Sequence, residues 1–326
     1  MRRRDAVLAF AALAIGASSP PVVAQEKVAL IGFLDGDTEA ARASFRKIFM
    51  TRLGELGYVE GRNLSVERRF AAGDAARLPK LAGELVALKP DVLVTVTTTV
   101  ALAAKAATST IPIVAIGPAE PVKSGLVASL ARPGGNLTGV AFNQADVSAK
   151  WVELARELVP RAKSLAYLTD TGNPGEMLVF RTLEESARPL GIAARALDGT
   201  TRDKAGQAFA TMRENRIDVL VVATTAALLP QREEIVEGAA RLRLPAIYAR
   251  QDYMQAGGLL SYGANPATVA VRGADYVARI LRGAKPAEMP FEMASSFRLA
   301  VNARTARALG LKLPPAVLAR ADEVIE

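Results

Sequence analysis

Two runs of threonine are candidate binding groups, because each directly follows the pattern of a buried strand. Thr97, Thr98 and Thr99 follow the run "DVLVTV", and Thr224 and Thr225 follow the run "DVLVVA". A helix that starts at such a point presents free N–H groups beside the hydroxyls, and this combination binds a carboxylate or a phosphate. The alternative interpretation is that these threonines only cap their own helices.

Further candidates lie at the ends of the other predicted strands. Asp35 and Glu120 are placed to accept hydrogen bonds from a ligand amine, unless they are simply exposed acids at helix starts. Three aromatic residues would wall the ligand unless they belong to the core: Phe33, Phe142 and Tyr248. The remaining strand-end candidates are Asp170, Asn173 and Arg250. Trp151 lies on an apolar helix face and is predicted to be a core residue.

The composition excludes several chemistries. The 326 residues include no Cys and no His, which removes thiol nucleophiles, disulfides, Cys or His metal sites and Ser-His-Asp triads. No Walker motif and no G-x-G-x-x-G motif follows a predicted strand, so we expect neither a cofactor nor a bound metal. The formal charge is +8, but the basic residues alternate with apolar ones, so no nucleic-acid partner is expected.

The order of the predicted elements occurs twice. Apolar, strand-like runs alternate with helix-length stretches, which indicates parallel sheets with right-handed crossovers. Each half has a Leu-Gly pair before its second strand, a "DVLV" run, and a later apolar run containing proline: "IPIVAI" in the first half and "LPAIYA" in the second. The sequence therefore predicts two similar α/β lobes. Ligands bind beyond the carboxyl ends of such strands, in a cleft that closes by hinge motion.

Two segments are predicted to connect the lobes. "GLVASLA" (125–131) has a short helix pattern that "RPGGN" (132–136) should end, and "LTGVAF" (137–142) then forms a strand leading into the second lobe. "GGLLSYGANP" (257–266) is the predicted return. We expect residues 27–142 and 264–290 in the first lobe, and residues 143–263 and 291–326 in the second.

The N-terminus has the pattern of a signal peptide. Three arginines precede the apolar run "AVLAFAALAIGA", which is too short to span a bilayer, and "VVA" supplies small residues for cleavage after Ala24. The pattern predicts an exported protein, located in a periplasm. Because no Cys follows the apolar run, no lipid anchor is expected.

Several long stretches are characteristic of one family. "GLVASLARPGGNLTG", "LPAIYARQDYMQAGGLLSYGAN", "ADYVARILRGAKPAEMPFE" and "NARTARALGLKLPPAVLARADEVIE" closely resemble the ABC-transporter substrate-binding family that includes tryptophan- and tyrosine-binding importer components. The resemblance implies a type I periplasmic-binding-protein fold, an exported solute receptor and a membrane permease as partner. The family's usual Gly-Gly-Thr-Pro is replaced here by Val96-Thr97-Thr98-Thr99, its Asp before Pro-Val by Glu120, and a Ser-Thr pair by Asp35-Gly36.

These patterns favour a ligand-binding component of an ABC importer that acts as a monomer and is not an enzyme. We expect a small zwitterion, an amino acid or a derivative, with its carboxylate on the threonine-lined helix starts and its amine near Asp35 or Glu120. Arg250 would add a charged donor when the lobes close. Two alternatives remain: a periplasmic ligand sensor, and an α/β hydrolase or transferase that uses a Lys or carboxylate base.

Overall fold

The computed structural model describes residues 28–142 and 144–326, without the side chains of Phe142, Gln144 and Ala145. The predicted signal peptide lies outside these residues. The first part of the chain alternates strands and helices as expected: β1 (Ala29–Asp35), α1 (Ala43–Glu55), β2 (Leu64–Phe70), α2 (Leu78–Ala87), β3 (Val92–Val96), α3 (Thr98–Ala107), β4 (Ile113–Ala119) and β5 (Leu137–Phe142).

The second part repeats this alternation: α4 (Gln144–Leu158), β6 (Ser164–Thr169), α5 (Pro174–Ala187), β7 (Ala193–Asp198), α6 (Arg202–Glu214), β8 (Val219–Val222), α7 (Arg232–Arg241), β9 (Ala246–Tyr248), α8 (Asp252–Gln255) and β10 (Leu260–Ala264). The chain ends with α9 (Pro266–Leu281), β11 (Glu292–Ala294), β12 (Phe297–Asn302), α10 (Ala303–Leu309), α11 (Pro315–Arg320) and β13 (Glu323–Ile325).

The strands form two sheets, one in each lobe. The first sheet has the order β11-β5-β4-β3-β1-β2, and the second has the order β13-β12-β10-β9-β8-β6-β7. Five strands of each sheet therefore follow the same order, 2-1-3-4-5 in the first and the equivalent 7-6-8-9-10 in the second. All neighbouring strands are parallel except β10 and β12. The predicted fold class, two parallel-sheet α/β lobes, is confirmed.

The aspartate of each "DVLV" run has the same structural role. One oxygen of Asp91 accepts a hydrogen bond from the Leu30 amide at 2.9 Å. One oxygen of Asp218 accepts from the Lys163 and Ser164 amides at 2.9 and 3.0 Å. Each carboxylate thus fastens the start of its lobe's first strand to the neighbouring strand.

A glycine lies in each of the first two strands at which the chain leaves a lobe, β5 and β10. A Cβ on Gly139 of β5 would lie 1.8 Å from the Ala115 carbonyl oxygen, and one on Gly263 of β10 would lie 2.2 Å from the Ala249 carbonyl oxygen. No side chain fits at either distance, so these crossing strands approach their neighbours in a way that only glycine permits.

Two predictions about the connections are wrong. Residues 125–131 form no helix: Gly125 has a φ of +75°, and the amides of Leu126 and Val127 both bond to the Pro121 carbonyl oxygen in a compact turn. The return to the second lobe also comes later than residue 290. Strand β11 pairs with β5, and the buried Phe291 beside it joins the first-lobe core, so the chain returns between Ala294 and Phe297.

Candidate ligand-binding cleft

A cavity of about 370 Å³ lies between the carboxyl ends of the two sheets. The first lobe contributes the residues that follow β1, β3 and β4, and the second lobe those that follow β6, β8 and β9. Most of the residues predicted from strand ends line this cavity: Thr97, Thr98, Thr99, Asp170, Asn173, Thr224, Thr225 and Arg250. The cavity therefore lies where the ends of parallel strands predicted it.

The start of α3 faces the cavity without a cap. Thr97 has a φ of +81°, and within the part of the chain that the structure describes no side chain caps the first turn of this helix. The first amides of a helix have no intrahelical acceptor, so they can bind an anion. The Thr98 hydroxyl is engaged elsewhere, because it accepts a hydrogen bond from the Ala119 amide at 2.9 Å. Thr98 therefore fixes the helix start against β4.

The facing helix start, that of α5, is already capped. The Asn173 side-chain oxygen accepts from the Gly175 amide at 2.9 Å. The Asn173 side-chain amide donates across the cleft to the Thr99 hydroxyl at 2.8 Å. A Cβ on Gly175 would lie 3.3 Å from Thr98 side-chain atoms, so the two helix starts are in close contact. The lobes are thus closed on one another at this point.

A buried carboxyl group, Glu176, lies on the second-lobe wall. It is 9% exposed, and one of its oxygens accepts hydrogen bonds from both the Tyr167 hydroxyl at 2.8 Å and the Thr169 hydroxyl at 3.1 Å. Burial raises the pKa of Glu176, opposing the effect of these hydrogen bonds. Among the residues that the structure describes, no Lys or Arg forms an ion pair with it. The cavity thus contains a carboxyl group that lacks a cation.

A charged cluster joins the lobes at another part of the wall. Arg250 of the second lobe donates to Asp37 of the first at 2.8 Å and to Asp252 at 3.0 Å. Arg42 donates to the same Asp37 oxygen at 2.6 Å, and its Nε lies 2.5 Å from an oxygen of Asp35. Burial is the largest influence on Asp35 and raises its pKa against the effect of Arg42.

Neither a metal site nor a membrane-spanning helix is found. Residues 28–142 and 144–326 contain no group of three or more carboxylates that could hold a metal ion. Over the same residues, no helix combines the length and apolar character needed to cross a bilayer.

Comparison with known proteins identifies the family. The family model described as "ABC transporter substrate binding protein" matches residues 27–325. The chain belongs to this family. It is 25% identical over 268 residues to the "Tyrosine-binding protein" of Clostridioides difficile, covering 82% of this chain and 76% of that protein. The resemblance stated from the sequence is therefore confirmed.

Solved structures agree with this assignment. A conserved domain protein from Vibrio cholerae has a TM-score of 0.86 at 30% identity, covering 91% of this chain and all of that one. An ABC domain in complex with L-Trp from Streptococcus pneumoniae has a TM-score of 0.85 at 23% identity, covering 91% and 99%. The fold is that of type I periplasmic binding proteins, and the chain is a solute-binding protein of the ABC transporter class.

Several residues that the sequence of this ABC substrate-binding protein predicted as ligand contacts do not line the cavity. Phe33 and Tyr248 are core residues: Phe33 packs against Phe49, and Tyr248 stacks on Tyr253 with ring centroids 4.7 Å apart. Inward-facing positions of a strand covered on both sides are buried even close to its end. Of Phe142 only the backbone, in β5, is described.

The two acids expected to hold an amine are also elsewhere. Asp35 is completely buried behind the cavity wall and is paired with Arg42. Glu120 forms an ion pair with Lys123 at 3.2 Å, outside the cavity. Asp35 ends β1 and Glu120 follows β4, but both side chains are paired with neighbouring cations and neither lines the cavity.

Other cavity residues were not predicted as ligand contacts. Trp151 is 1% exposed, as its helix pattern indicated, yet it also lines the cavity and donates from its indole N–H to the Tyr262 carbonyl oxygen at 2.8 Å. Arg42, Glu176 and Gln251 come from within helices or loops beyond the strand ends. The only sequence signal for Glu176 was its place at a helix start, two residues after Pro174.

Proposed function

We propose that this chain captures an α-amino acid, or a close derivative, and delivers it to the permease of an ABC importer without altering it chemically. The observation that carries the proposal is the presence of complementary groups on opposite sides of the cavity between the lobes. The uncapped start of α3 lies on one lobe. The buried carboxyl group of Glu176, which forms no ion pair with any residue that the structure describes, lies on the other.

The two charged ends of a zwitterion fit these two groups. The amides at the start of α3 would receive the carboxylate, since a helix N-terminus carries partial positive charge and free donors. Glu176, together with the nearby cavity residue Asp170, would accept hydrogen bonds from the ammonium group. A buried charge is tolerated when it is paired, so the ligand supplies the missing partner.

The rest of the cavity suits an apolar or aromatic body. Its apolar wall is formed by Phe45, Leu78, Val147, Trp151 and Val269. A volume of about 370 Å³ falls in the lower part of the usual range for small-molecule sites, roughly 300–1,000 Å³. The relatives described as tyrosine-binding and as holding L-Trp support this ligand class.

Delivery to a permease requires an exported protein. ABC substrate-binding proteins are typically extracellular or periplasmic, and the N-terminal pattern of this chain supports export with cleavage after Ala24. Mass spectrometry of the exported protein should find Gln25 at or near its N-terminus. Recovery of a chain that begins at Met1 from the periplasmic fraction would contradict this part of the proposal.

The proposal is tested with ligands that differ only in their charged ends. L-Tryptophan, tryptamine and indole-3-propionate share one ring, but only the amino acid carries both charges. We expect an amino acid from a screened set to raise the melting temperature, since a ligand that binds only the folded state stabilises it. The matching amine and acid should bind at least about tenfold more weakly, because each loses one charged interaction.

Two results would refute the proposal. One is equal binding of an amino acid and its matching amine or acid in calorimetry. The other is recovery of a chemically changed ligand after incubation with the protein, which would indicate an enzyme. The readout for the second is mass spectrometry of the released ligand.

A further inference from the structure

Three side chains at one part of the cavity wall carry hydrogen-bond donors for which the described residues provide no acceptor. They are Arg42, Arg250 and Gln251, and all three line the cavity. We propose that they form a donor subsite, which recognises an uncharged oxygen acceptor at the end of the ligand farthest from its amino-acid group. This inference rests on the proposed function and narrows the ligand class.

Arg42 is held rigidly by the carboxylates behind it. Its Nη2 donates to Asp37 at 2.6 Å and to Asp35 at 3.2 Å, and its Nε forms an ion pair with the other Asp35 oxygen. Its Nη1 has no acceptor in the part of the chain that the structure describes. The side chain is only 11% exposed, and because Arg42 lines the cavity, that remaining surface includes the part a ligand would contact.

Arg250 repeats this arrangement from the opposite lobe. Its Nε donates to Asp252 at 3.0 Å and its Nη1 to Asp37 at 2.8 Å. Its Nη2 finds no acceptor among residues 28–142 and 144–326. Because a guanidinium group is planar and its donors point in fixed directions, the two pairings determine where the free N–H groups point.

Gln251 provides the third donor, and its orientation is settled by a neighbour. Its side-chain oxygen accepts from Arg298 at 3.4 Å, so the side-chain nitrogen must face the other way. That nitrogen is buried and has no hydrogen-bond partner among the described residues. A buried donor without an acceptor costs about 1–3 kcal/mol. Because Gln251 lines the cavity, a small turn of its amide would bring this donor to an acceptor on the ligand and remove this cost.

The charge balance favours a neutral acceptor over a second carboxylate. Two guanidinium groups are surrounded by three carboxyl groups, those of Asp35, Asp37 and Asp252. A further anion would meet more carboxyl groups than guanidinium groups. A phenol, carboxamide or carbonyl oxygen accepts the same hydrogen bonds without adding charge. A ligand N–H group would find no acceptor at Arg42 Nη1, Arg250 Nη2 or the Gln251 side-chain nitrogen, because all three atoms are donors.

The experiment compares ligands that differ in this one group, using calorimetry on the full mature chain. Tyrosine and phenylalanine form one pair, and glutamine and methionine form the other. We expect the member with the oxygen acceptor to bind at least about tenfold more tightly in one pair or both, and glutamate to bind more weakly than glutamine.

Variants assign the effect to the subsite. Gln251→Glu keeps an oxygen for Arg298 and removes one of the three donors, so the ratio of affinities within the pair should fall toward one, by at least about threefold. Gln251→Met removes the donor without adding charge and should have the same effect. Gln207→Glu makes the same change at an exposed glutamine of α6 outside the cavity; it is the matched control and should keep the wild-type ratio.

The outcomes separate the subsite from the amino-acid proposal. Equal affinities within both pairs, with all four amino acids binding, would overturn the donor subsite and leave the amino-acid proposal standing. A wild-type ratio that persists in both Gln251 variants would also overturn it. If no amino acid of the screened set binds, the proposed function fails and the subsite fails with it.

Discussion

Replacing Glu176 by glutamine tests the amino-acid proposal at the residue that carries most of it. The change keeps an oxygen for the Tyr167 and Thr169 hydroxyls, which lie 2.8 and 3.1 Å from the carboxylate. The Thr224 hydroxyl, 3.5 Å from the other oxygen, can turn and accept from the new amide. The substitution therefore removes the charge and leaves the packing intact.

The affinity for the ligand should fall. A hydrogen bond to a charged group contributes about 1.5–3 kcal/mol, which corresponds to roughly 10- to 150-fold in affinity. The pH dependence should change as well. Burial raises the pKa of Glu176, so this carboxylate becomes protonated at a higher pH than an ordinary glutamate. The ligand affinity of the wild-type protein should therefore begin to decline at that higher pH, and the affinity of the variant should not show this decline.

The stability of the unliganded protein should change in the opposite direction. A carboxyl group whose pKa is raised in the folded state destabilises that state as the pH rises through the folded pKa. The Gln variant should therefore have a higher free energy of unfolding than wild type near neutral pH. The difference should vanish below the ordinary glutamate pKa of about 4.5. Calorimetry and denaturant titration at several pH values measure the two effects.

An exposed residue of the same helix provides the control. Glu185→Gln changes the charge on α5 away from the cavity and should leave ligand affinity at its wild-type value. The reasoning is refuted if Glu176→Gln binds the ligand as tightly as wild type, or if both substitutions weaken binding equally.

Three further predictions concern closure, strand anchoring and the crossing strands. Thr99→Val removes the acceptor for the Asn173 side-chain amide and should weaken ligand binding by about 2- to 12-fold. Small-angle scattering should show a larger radius of gyration than wild type at equal ligand concentration. An unchanged affinity and an unchanged radius of gyration would contradict the role of this hydrogen bond in closing the lobes. Asp218→Asn should cost about 1–2 kcal/mol of stability at pH 7. Burial by itself would raise the pKa of Asp218, but the hydrogen bonds from Lys163 and Ser164 have the larger combined effect and lower it. The loss of stability in the variant should therefore disappear as the pH falls through that lowered pKa. A loss of stability that persists in acid would contradict this reasoning. Gly139→Ala, with its Cβ 1.8 Å from the Ala115 carbonyl oxygen, should destabilise the first lobe by about 3 kcal/mol or more, and a melting temperature within a degree of wild type would show that β5 adjusts freely.

The position of the cleft could be predicted from the sequence because it depends on short-range patterns. A buried parallel strand reads as a continuous apolar run, and the residue after it must lie at the carboxyl edge of the sheet. Thr97, Thr224 and Arg250 follow such runs, and all of them line the cavity. Residues that reach the cavity from within a helix, such as Glu176, give no comparable signal.

The sequence by itself determined the fold class, the duplicated lobes and the family, since these follow from apolar periodicity and long characteristic stretches. Only the tertiary structure decided which polar groups remain available to a ligand. Asp35 and Glu176 are both buried acids, but Arg42 pairs with Asp35, whereas the hydrogen-bond partners of Glu176 among the described residues are hydroxyl groups. The pairing of a charge depends on side chains brought together from distant parts of the chain, and a local pattern does not record those contacts.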